Sequence, residues 1–276
     1  MKIKKKIGAK LNLTLDILGV ENGFHTLKSL VAEISLCDTI VVKKRNDKKI
    51  TLKIKGASLP TDETNNAFVA GKEFVKTFNT NGADILIKKK IPIGGGLGGS
   101  SADIAGVLLA LRELYSIDKS VDELAGKLGS DVNYMLSGGY AVMEGRGEKV
   151  RKIDSNMPLY VILLPCKDGV STKECYKEFD EQEKLYPQTT ELGERALKEE
   201  NYENLLKALK NDLYLPAKTL LSKIEENLLA LGKNNVSMTG SGSTTFALFS
   251  TKKERDKKYK QLKKTHNVIK AKTIIR

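Results

Sequence analysis

A run of glycines near position 95 is the first feature of the chain with the composition of a ligand-binding loop. Five of the six residues from 94 to 99 are glycine, within the stretch IPIGGGLGGSSAD at 91–103. Glycines let a backbone approach a ligand closely and turn successive N–H groups inward, which forms a nest for an anion. Pro92 fixes the start of the loop, and a helix is predicted to begin near Ser101. Because a helix N-terminus behind such a nest binds phosphate, the pattern favours a phosphate-binding loop over a turn that binds nothing.

The residues around the loop exclude several known kinds of phosphate-binding loop. No lysine follows the glycines, which excludes the Walker form. Gly94, Gly96 and Gly99 match the dinucleotide pattern G-x-G-x-x-G, but Asp118, near the required distance, follows a predicted helix and not a second strand. The His-Arg-Asp and Asp-Phe-Gly motifs of protein kinases are also absent from the sequence. The loop is therefore a phosphate loop of another kind.

Three polar residues outside the loop could serve phosphoryl transfer, which needs an aligned hydroxyl, a positive charge and a group near the hydroxyl proton. Asp131 follows Gly129-Ser130 at a break after a short predicted helix, where it could be a base or the N-cap of a further helical turn. Lys10 and Asn12 lie two residues apart, so a strand would place them on one face. Lys10 could equally be one more solvated lysine in a lysine-rich segment.

The length and composition of the chain limit the classes of protein to which it can belong. The 276 residues are 29% charged and 40% hydrophobic, which is typical of a globular protein with one large or two modest domains. No run of about 18 apolar residues predicts a membrane span, and the N-terminal MKIKKKIGAK lacks the apolar segment of a secretory signal. Three scattered cysteines, two distant histidines and the lack of a C-x-x-C pair exclude a disulfide framework and a structural zinc site. We therefore expect a cytoplasmic protein.

The positive charge of the chain is concentrated at its two ends. The net charge is +13, with five lysines and no acid in residues 1–10, and eleven Lys or Arg against two acids in residues 252–276. Such ends could attract a polyanion, or they could simply solvate a strand and a helix. We favour the second interpretation, because aromatic residues are sparse there and no nucleic-acid motif is present.

Hydrophobic periodicity predicts the elements of the first half. Leucine and isoleucine alternate with polar residues in LNLTLDIL at 11–18, which predicts a half-buried strand. Further strands are predicted at 39–43, 50–54 and 83–89, helices at 65–78, 102–115 and 121–128, and a strand pair at 140–144 and 148–153 around the turn at 145–147.

The second half begins after a break in the pattern near 154–158. Strands are predicted at 159–164, 236–239, 246–249 and 268–275, and helices at 192–200, 217–231 and 252–264. Helices mixed with hairpins in this way predict an α+β fold. We place the domain boundary so that the domains span 1–155 and 156–276.

Three separated segments together resemble the GHMP kinases, a family that includes galactokinase, homoserine kinase, mevalonate kinase and phosphomevalonate kinase. PIGGGLGGSSAD at 92–103 looks like the family's phosphate loop, and AKLNLTLDILG at 9–19 looks like its N-terminal motif. MTGSGSTTFALF at 238–249 looks like its C-terminal glycine motif. Three motifs in the family's order are much more specific than one glycine loop.

Finer features resemble one branch of the family, which acts in the non-mevalonate isoprenoid pathway. They are NGFHTLKSL at 22–30, LGSDVNYMLSGGYAVMEGRGEKV at 128–150 and GVSTKECY at 169–176, and the resemblance covers roughly residues 8–250. It implies ATP-dependent phosphorylation of the 2-hydroxyl of a cytidylyl sugar-alcohol diphosphate. Mg²⁺ would arrive with ATP and be held mainly by the phosphate oxygens, with Ser100 or Ser101 as a protein ligand.

The resemblance also implies a fold and roles for single residues. The N-terminal domain would be similar to ribosomal protein S5 domain 2 and would bind ATP, and the C-terminal domain would be ferredoxin-like, with the active site in the cleft between them. Asp131 would be the catalytic carboxylate and Lys10 a fixed cation beside it. The expected substrate contacts are Asn12 on the substrate, Phe24, His25 and Tyr176 around the cytosine, and Gly240 and Ser241 at the diphosphate. The expected ATP contacts are Asn66 on the adenine side and the loop residues Pro92, Ile93, Gly94, Gly95, Gly96, Leu97, Gly98, Gly99, Ser100 and Ser101.

Two other functions stay open at this point. The first is another small-alcohol kinase of the same family, of the phosphomevalonate or homoserine kinase type. The second, from a different class, is a nucleic-acid-binding protein that carries its basic termini on an S5-like domain. For the preferred function the partner is a small molecule and not a membrane, and the protein is a monomer or a homodimer.

Overall fold

The computed structural model describes residues 1–182 and 187–276, and both helices and strands are abundant in these ranges. The strands are β1 (Lys2–Asn12), β2 (Thr14–Glu21), β3 (Phe24–Lys44), β4 (Ile50–Lys55), β5 (Ala83–Lys88), β6 (Tyr140–Gly145), β7 (Lys149–Ile153), β8 (Tyr160–Leu164), β9 (Lys210–Asn211), β10 (Val236–Met238), β11 (Thr245–Phe249) and β12 (Ile269–Lys272). The helices are α1 (Asn66–Phe78), α2 (Gly99–Leu114), α3 (Asp122–Leu128), α4 (Val132–Ser137), α5 (Thr172–Asp180), α6 (Thr190–Lys198), α7 (Tyr202–Ala208), α8 (Tyr214–Leu220), α9 (Lys223–Leu231) and α10 (Lys252–Leu262). Within the described ranges, no helix combines the length and the apolar character that crossing a membrane requires.

The chain folds into two compact units, and neither is a single stretch of sequence. The first unit comprises Met1–Ala9, Leu36–Ile91 and Gly98–Ser137, and the second comprises Lys10–Ser35, Pro92–Leu97 and Gly138–Arg276. These units do not coincide with the contiguous domains predicted at 1–155 and 156–276. That domain boundary stays a prediction.

In the first unit, β5 lies between two other strands of an eight-stranded sheet, and helix α1 packs against β4 and α2. β5 pairs in parallel with β4 and antiparallel with residues 39–44 of β3. Helix α1 begins where the Oδ1 of Asn65 accepts a hydrogen bond from the N–H of Ala67 at 2.9 Å, which satisfies one of the free donors of its first turn. Phe74 of α1 is completely buried, so the apolar face of this helix lies in the core.

The first unit also buries a cluster of three charged side chains. The Lys89 Nζ lies 2.5 Å from an Asp38 carboxylate oxygen and 2.6 Å from an Asp103 carboxylate oxygen, and it donates to the carbonyl of Gly99 at 3.3 Å. All three charged residues are buried. Burial raises the pKa of Asp103 to about 7, and the nearby Asp38 adds to the shift although Lys89 opposes it. The cluster therefore ties the end of β5 to the first turns of α2.

In the second unit, the four-stranded sheet has the order β10-β11-β8-β12, and every neighbouring pair is antiparallel. Along the chain, β8 is followed by helices, then by the hairpin β10–β11, then by α10 and β12. This connection and this order are those of a ferredoxin-like fold. The same unit contains β2 and β6, which pair with residues 24–32 of β3, and β7, which pairs with β6. The predicted α+β class is confirmed.

The alternating segment at 11–18 differs from the single half-buried strand predicted for it. The chain bends at Leu13, so the segment is divided between β1 and β2. Its polar side is also buried, with Asn12 at 3% exposure, Thr14 at 0% and Asp16 at 1%. Alternation showed which residues share a face, but it could not show that the polar face has partners of its own.

Two predicted helices have different bounds in the structure. Helix α2 begins at Gly99 and not at residue 102, because Gly98 turns the chain with a φ of 69° and the helix starts at once. The helix predicted at 217–231 is two helices, α8 and α9, since Leu221 is extended with a φ of −147°. The apolar spacing continues through this break, because residues on both sides of it pack into one cluster around Met238.

The buried cluster predicts that replacing Lys89 lowers the stability of the protein much more than replacing its neighbour Lys90. Lys89→Met leaves the carboxylates of Asp38 and Asp103 buried without their cation, so the free energy of unfolding should fall by about 3–5 kcal/mol. Lys90→Met is the matched control, because Lys90 is exposed, and it should change stability by no more than about 0.5 kcal/mol. Urea unfolding measures both. Equal effects of the two changes would contradict the account of the cluster.

The raised pKa of Asp103 predicts a pH dependence with a definite sign. In the folded chain Asp103 stays protonated up to about pH 7, whereas the ordinary pKa of this carboxyl group is 3.8. The contribution of the group to stability is therefore complete below about pH 4 and is lost as the pH rises toward 7. Asp103→Asn removes this loss, so the stability of the variant relative to the wild type should increase between pH 5 and pH 8. Urea unfolding at both pH values measures it, and a flat or falling difference would contradict the assignment.

Candidate active site

The glycine loop has a backbone conformation that residues other than glycine rarely adopt. Gly94, Gly96 and Gly98 have φ values of 68°, 71° and 69°, in the left-handed region. The 16-residue helix α2 follows directly, and its N-cap, Gly98, has no side chain with which to cap the first turn. The N–H groups of that turn are thus available to an anion, as the phosphate interpretation of the sequence requires.

Within the second unit, part of this loop lies against the second glycine segment, residues 239–242. A Cβ atom on Gly96 would lie 2.2 Å from the carbonyl oxygen of Thr239 and 2.9 Å from that of Gly242. In the other direction, a Cβ atom on Gly240 would lie 3.0 Å from the carbonyl oxygen of Gly96. The two segments therefore approach backbone to backbone, and a side chain at Gly96 would separate them.

Asn12 is the hydrogen-bonding centre of this contact. Its backbone N–H donates to the Thr239 hydroxyl at 3.0 Å, and its Oδ1 accepts from that hydroxyl at 3.1 Å and from the N–H of Gly240 at 3.0 Å. Its Nδ2 donates to the Ser29 hydroxyl at 2.8 Å. A residue predicted to contact the substrate thus uses its amide mainly to hold the glycine segment 239–242 in place.

Lys10 is held beside Asn12, as strand periodicity predicts. The Lys10 Nζ donates to the Asn12 Oδ1 at 3.2 Å, and the Lys10 backbone N–H donates to the carbonyl of Leu97 in the glycine loop at 3.0 Å. Lys10 is only 8% exposed, so it is not a solvated surface lysine. The Thr239 hydroxyl lies 3.2 Å from the carbonyl oxygen of Gly96, which links the same network to the loop a second time.

Asp131 belongs to the first unit and directly precedes α4. It is partly buried, and its backbone carbonyl accepts a hydrogen bond from Met135 N–H at 3.1 Å. Lys10 belongs to the second unit, and the predicted pairing of Asp131 with Lys10 stays a prediction. The short helix α4 was not predicted, although Asp131 as a helix N-cap was one of the two interpretations of the sequence.

The structure brings together two of the predicted ATP contacts in the first unit. Asn66 is the first residue of α1, and its Nδ2 donates to the Ser100 hydroxyl at 3.3 Å. Ser100 lies in the first turn of α2 and is exposed. A nucleotide whose phosphates reach the start of α2 would have Asn66 close by.

The three residues predicted to contact the cytosine lie in the second unit, and two of them contact each other. The rings of His25 and Tyr176 are stacked, with centroids 4.6 Å apart and planes at 24°. Phe24 is 51% exposed, and the Arg146 guanidinium lies 3.8 Å from its ring centroid. Tyr176 therefore packs against the imidazole of His25, and the placement of these three residues around the cytosine stays a prediction.

Several residues that make contacts at these positions were not predicted from the sequence. Thr239 was not singled out, although it directly precedes the predicted Gly240 and Ser241. The Ser241 hydroxyl lies 2.9 Å from that of Thr172, which joins the glycine segment 239–242 to the start of α5. Arg146, in the turn at 145–147, was not singled out either. No cluster of three or more His, Cys, Asp or Glu in the described part of the chain could hold a metal ion.

Comparison with known proteins agrees with these observations. Residues 65–142 match the GHMP kinases N terminal domain, and residues 194–268 match the GHMP kinases C terminal domain. A protein of Clostridium beijerinckii named 4-diphosphocytidyl-2-C-methyl-D-erythritol kinase is 36% identical over 275 residues, which cover 97% of this chain and 98% of that protein. One of the same name from Carboxydothermus hydrogenoformans is 39% identical over 92% of this chain and 91% of its own length.

Solved structures give the same result. A crystal structure of 4-(cytidine 5'-diphospho)-2C-methyl-D-erythritol kinase matches with a TM-score of 0.83 at 28% identity, over 98% of this chain and 99% of that one. A mevalonate kinase matches with a TM-score of 0.73 at 18% identity, over 99% of this chain and 100% of that one, which is a likeness of fold alone. The two-domain fold predicted from the resemblance is confirmed. The chain therefore belongs to the GHMP kinase family of ATP-dependent small-molecule kinases and, within it, to the family of the 4-diphosphocytidyl-2-C-methyl-D-erythritol kinases.

Proposed function

We propose that the chain transfers the terminal phosphoryl group of ATP to the 2-hydroxyl of 4-diphosphocytidyl-2-C-methyl-D-erythritol. The observation that carries the proposal is the 36% identity over nearly the whole chain to a kinase named for this substrate. Phe24, His25 and Tyr176 support it, because they lie in the same compact unit as the glycine segment 239–242 and suit a substrate with a base and a diphosphate. Phosphomevalonate and homoserine have no base and leave these rings without a role. We further propose a cytoplasmic monomer or homodimer.

The residues present suit ATP and its Mg²⁺. The nest formed by Gly94, Gly96 and Gly98 and the first turn of α2 would hold the phosphates, and Asn66 would lie on the adenine side. Mg²⁺ neutralises phosphate charge when it is bound, and it needs few protein ligands because it keeps several waters. The hydroxyl group of Ser100 or of Ser101 is the protein ligand that we propose for it.

The catalytic work of the chain is orientation and charge placement. We assign Asp131 as the base that accepts the proton of the substrate hydroxyl, and Lys10 as the fixed cation that stabilises the charge on the transferred group. A buried ammonium acts more strongly than one in water, because the surrounding dielectric constant is lower. Asn12 holds Lys10 and Gly240 with its Oδ1, so its contact with the substrate is secondary to this positioning.

One assay separates the proposed substrate from its alternatives. Release of ADP is measured with 4-diphosphocytidyl-2-C-methyl-D-erythritol, phosphomevalonate and homoserine in turn. Turnover with the cytidylyl substrate alone is the expected result, whereas a preference for either of the others would overturn the proposal. RNA binding with a steep salt dependence and no turnover with any acceptor would favour the nucleic-acid function.

The role of Asp131 predicts a loss of turnover without a loss of nucleotide binding. Asp131→Asn keeps the size of the side chain but removes the charge that accepts a proton, so kcat should fall by about 100-fold or more. The KM for ATP should stay close to the wild-type value. Asp122→Asn, at an exposed acid of α3, is the control and should be silent. Wild-type kcat in Asp131→Asn would show that Asp131 is not the base.

The role of Phe24 predicts an effect confined to the cytidylyl substrate. Stacking of a base on an aromatic ring contributes ~1–3 kcal/mol, so Phe24→Ala should raise the KM for this substrate roughly 5- to 150-fold. Phe24→Tyr presents the same ring face and should be nearly silent. Because Phe24 is far from the ATP loop in the chain, the KM for ATP should not change in either variant. Steady-state kinetics with each substrate varied in turn measures this. Equal KM values for the wild type and Phe24→Ala would remove Phe24 from the base site.

A further inference from the structure

The imidazole of His25 is paired with a carboxylate that sequence reasoning did not single out. The His25 Nε2 lies 2.7 Å from the Asp180 Oδ1. The His25 side chain is 16% exposed and that of Asp180 is 56% exposed, so the pair lies at the edge of the protein with the imidazole on the inner side. His25 is in β3 and Asp180 is the last residue of α5, both in the second unit.

A single helix face holds this imidazole from three directions. Tyr176, Phe179 and Asp180 are spaced so that they share one face of α5. Tyr176 stacks on the His25 ring, and Phe179 meets it edge-on with centroids 6.0 Å apart at 87°. The helix itself is anchored at its start, where the Ser171 hydroxyl accepts a hydrogen bond from the N–H of Glu174. The ring of His25 therefore has a defined plane and a defined rotation.

The carboxylate also decides which ring nitrogen carries the proton. An ionised carboxylate only accepts hydrogen bonds, so the Nε2 of a neutral His25 must be the donor. In a neutral imidazole the other nitrogen then has a lone pair and no proton. Asp180 thus leaves His25 with an acceptor at Nδ1 for any ligand that reaches this nitrogen.

We propose that Asp180 is a positioning residue that keeps the Nδ1 of His25 a hydrogen-bond acceptor and so selects cytosine over uracil. The exocyclic amine of cytosine donates a hydrogen bond, whereas uracil presents a carbonyl oxygen in its place. An acceptor at Nδ1 pairs with the amine, but it leaves the carbonyl of uracil facing a lone pair, and an unpaired polar contact of this kind is costly. The inference rests on the proposed function, since it names the feature by which that site reads the base.

Nuclear magnetic resonance tests the tautomer without any substrate. The chain has two histidines, so His266→Gln leaves the ring nitrogens of His25 as the only imidazole signals. The ¹⁵N spectrum is recorded near pH 9, where histidine side chains carry a single ring proton. We expect a protonated Nε2 and a bare Nδ1 in this background, and a mixture of tautomers when Asp180→Asn is added, because an amide can donate as well as accept. A protonated Nδ1, or an unchanged spectrum in Asp180→Asn, would overturn the inference.

Kinetics with two bases tests the selectivity. The ratio of kcat/KM for the cytidylyl substrate to that for its uridylyl analogue is measured in the wild type, Asp180→Asn and Asp180→Glu. We expect Asp180→Asn to lower this ratio by about tenfold, mainly through the KM for the cytidylyl substrate and with kcat nearly unchanged. Asp180→Glu should retain part of the preference, and Glu181→Gln, at an exposed neighbouring acid, should retain all of it.

The outcomes distinguish this inference from the proposed function. Turnover of the cytidylyl substrate with an unchanged base preference in Asp180→Asn would overturn the role of Asp180 and leave the kinase assignment intact. Absence of cytidylyl turnover in every protein, the wild type included, would overturn the proposed function. In that case the tautomer experiment still decides whether Asp180 controls His25.

Discussion

The contact between two glycine-containing backbones is the constraint on which the second unit's part of the site depends. Gly96 and the segment 239–242 approach so closely that neither Gly96 nor Gly240 could carry a Cβ atom without moving the other backbone. Asn12 joins this contact to Lys10, since its Oδ1 accepts from the Lys10 ammonium and from the N–H of Gly240. The glycine loop, the segment 239–242 and the Lys10 ammonium are thereby held by one small network, and the phosphoryl transfer that we propose requires such precision.

Burial of the polar face of β1 and β2 gives this network its chemical strength. Lys10 and Asn12 are removed from water, so their hydrogen bonds and the field of the ammonium are stronger than they would be at the surface. The first unit uses the same principle in its Lys89 cluster, where one ammonium joins two buried carboxylates beneath the start of α2. In each unit, buried charge orients groups that a solvated surface would leave free.

The sequence predicted the parts of the fold and of the site that depend on local pattern. The glycine loop, the helix after it, the strand face shared by Lys10 and Asn12, and the glycine turn at 240 all follow from neighbours within a few residues. The network of Asn12 did not, because Thr239 is 227 residues away from it along the chain. For the same reason Asp180 was missed, since its contact with His25 spans 155 residues. The direct stack of His25 on Tyr176 could not be predicted either, because the spacing of aromatic residues does not reveal the distance between their rings.

The position of the transferred phosphate tests the central claim most directly. The chain is incubated with ATP, Mg²⁺ and 4-diphosphocytidyl-2-C-methyl-D-erythritol, and the product is examined by ³¹P and ¹³C NMR. The account predicts a new phosphomonoester in a molecule that keeps its diphosphate, with phosphorus coupling at the quaternary carbon that bears the 2-hydroxyl. Release of inorganic phosphate without a new ester, or an ester on another carbon, would contradict it.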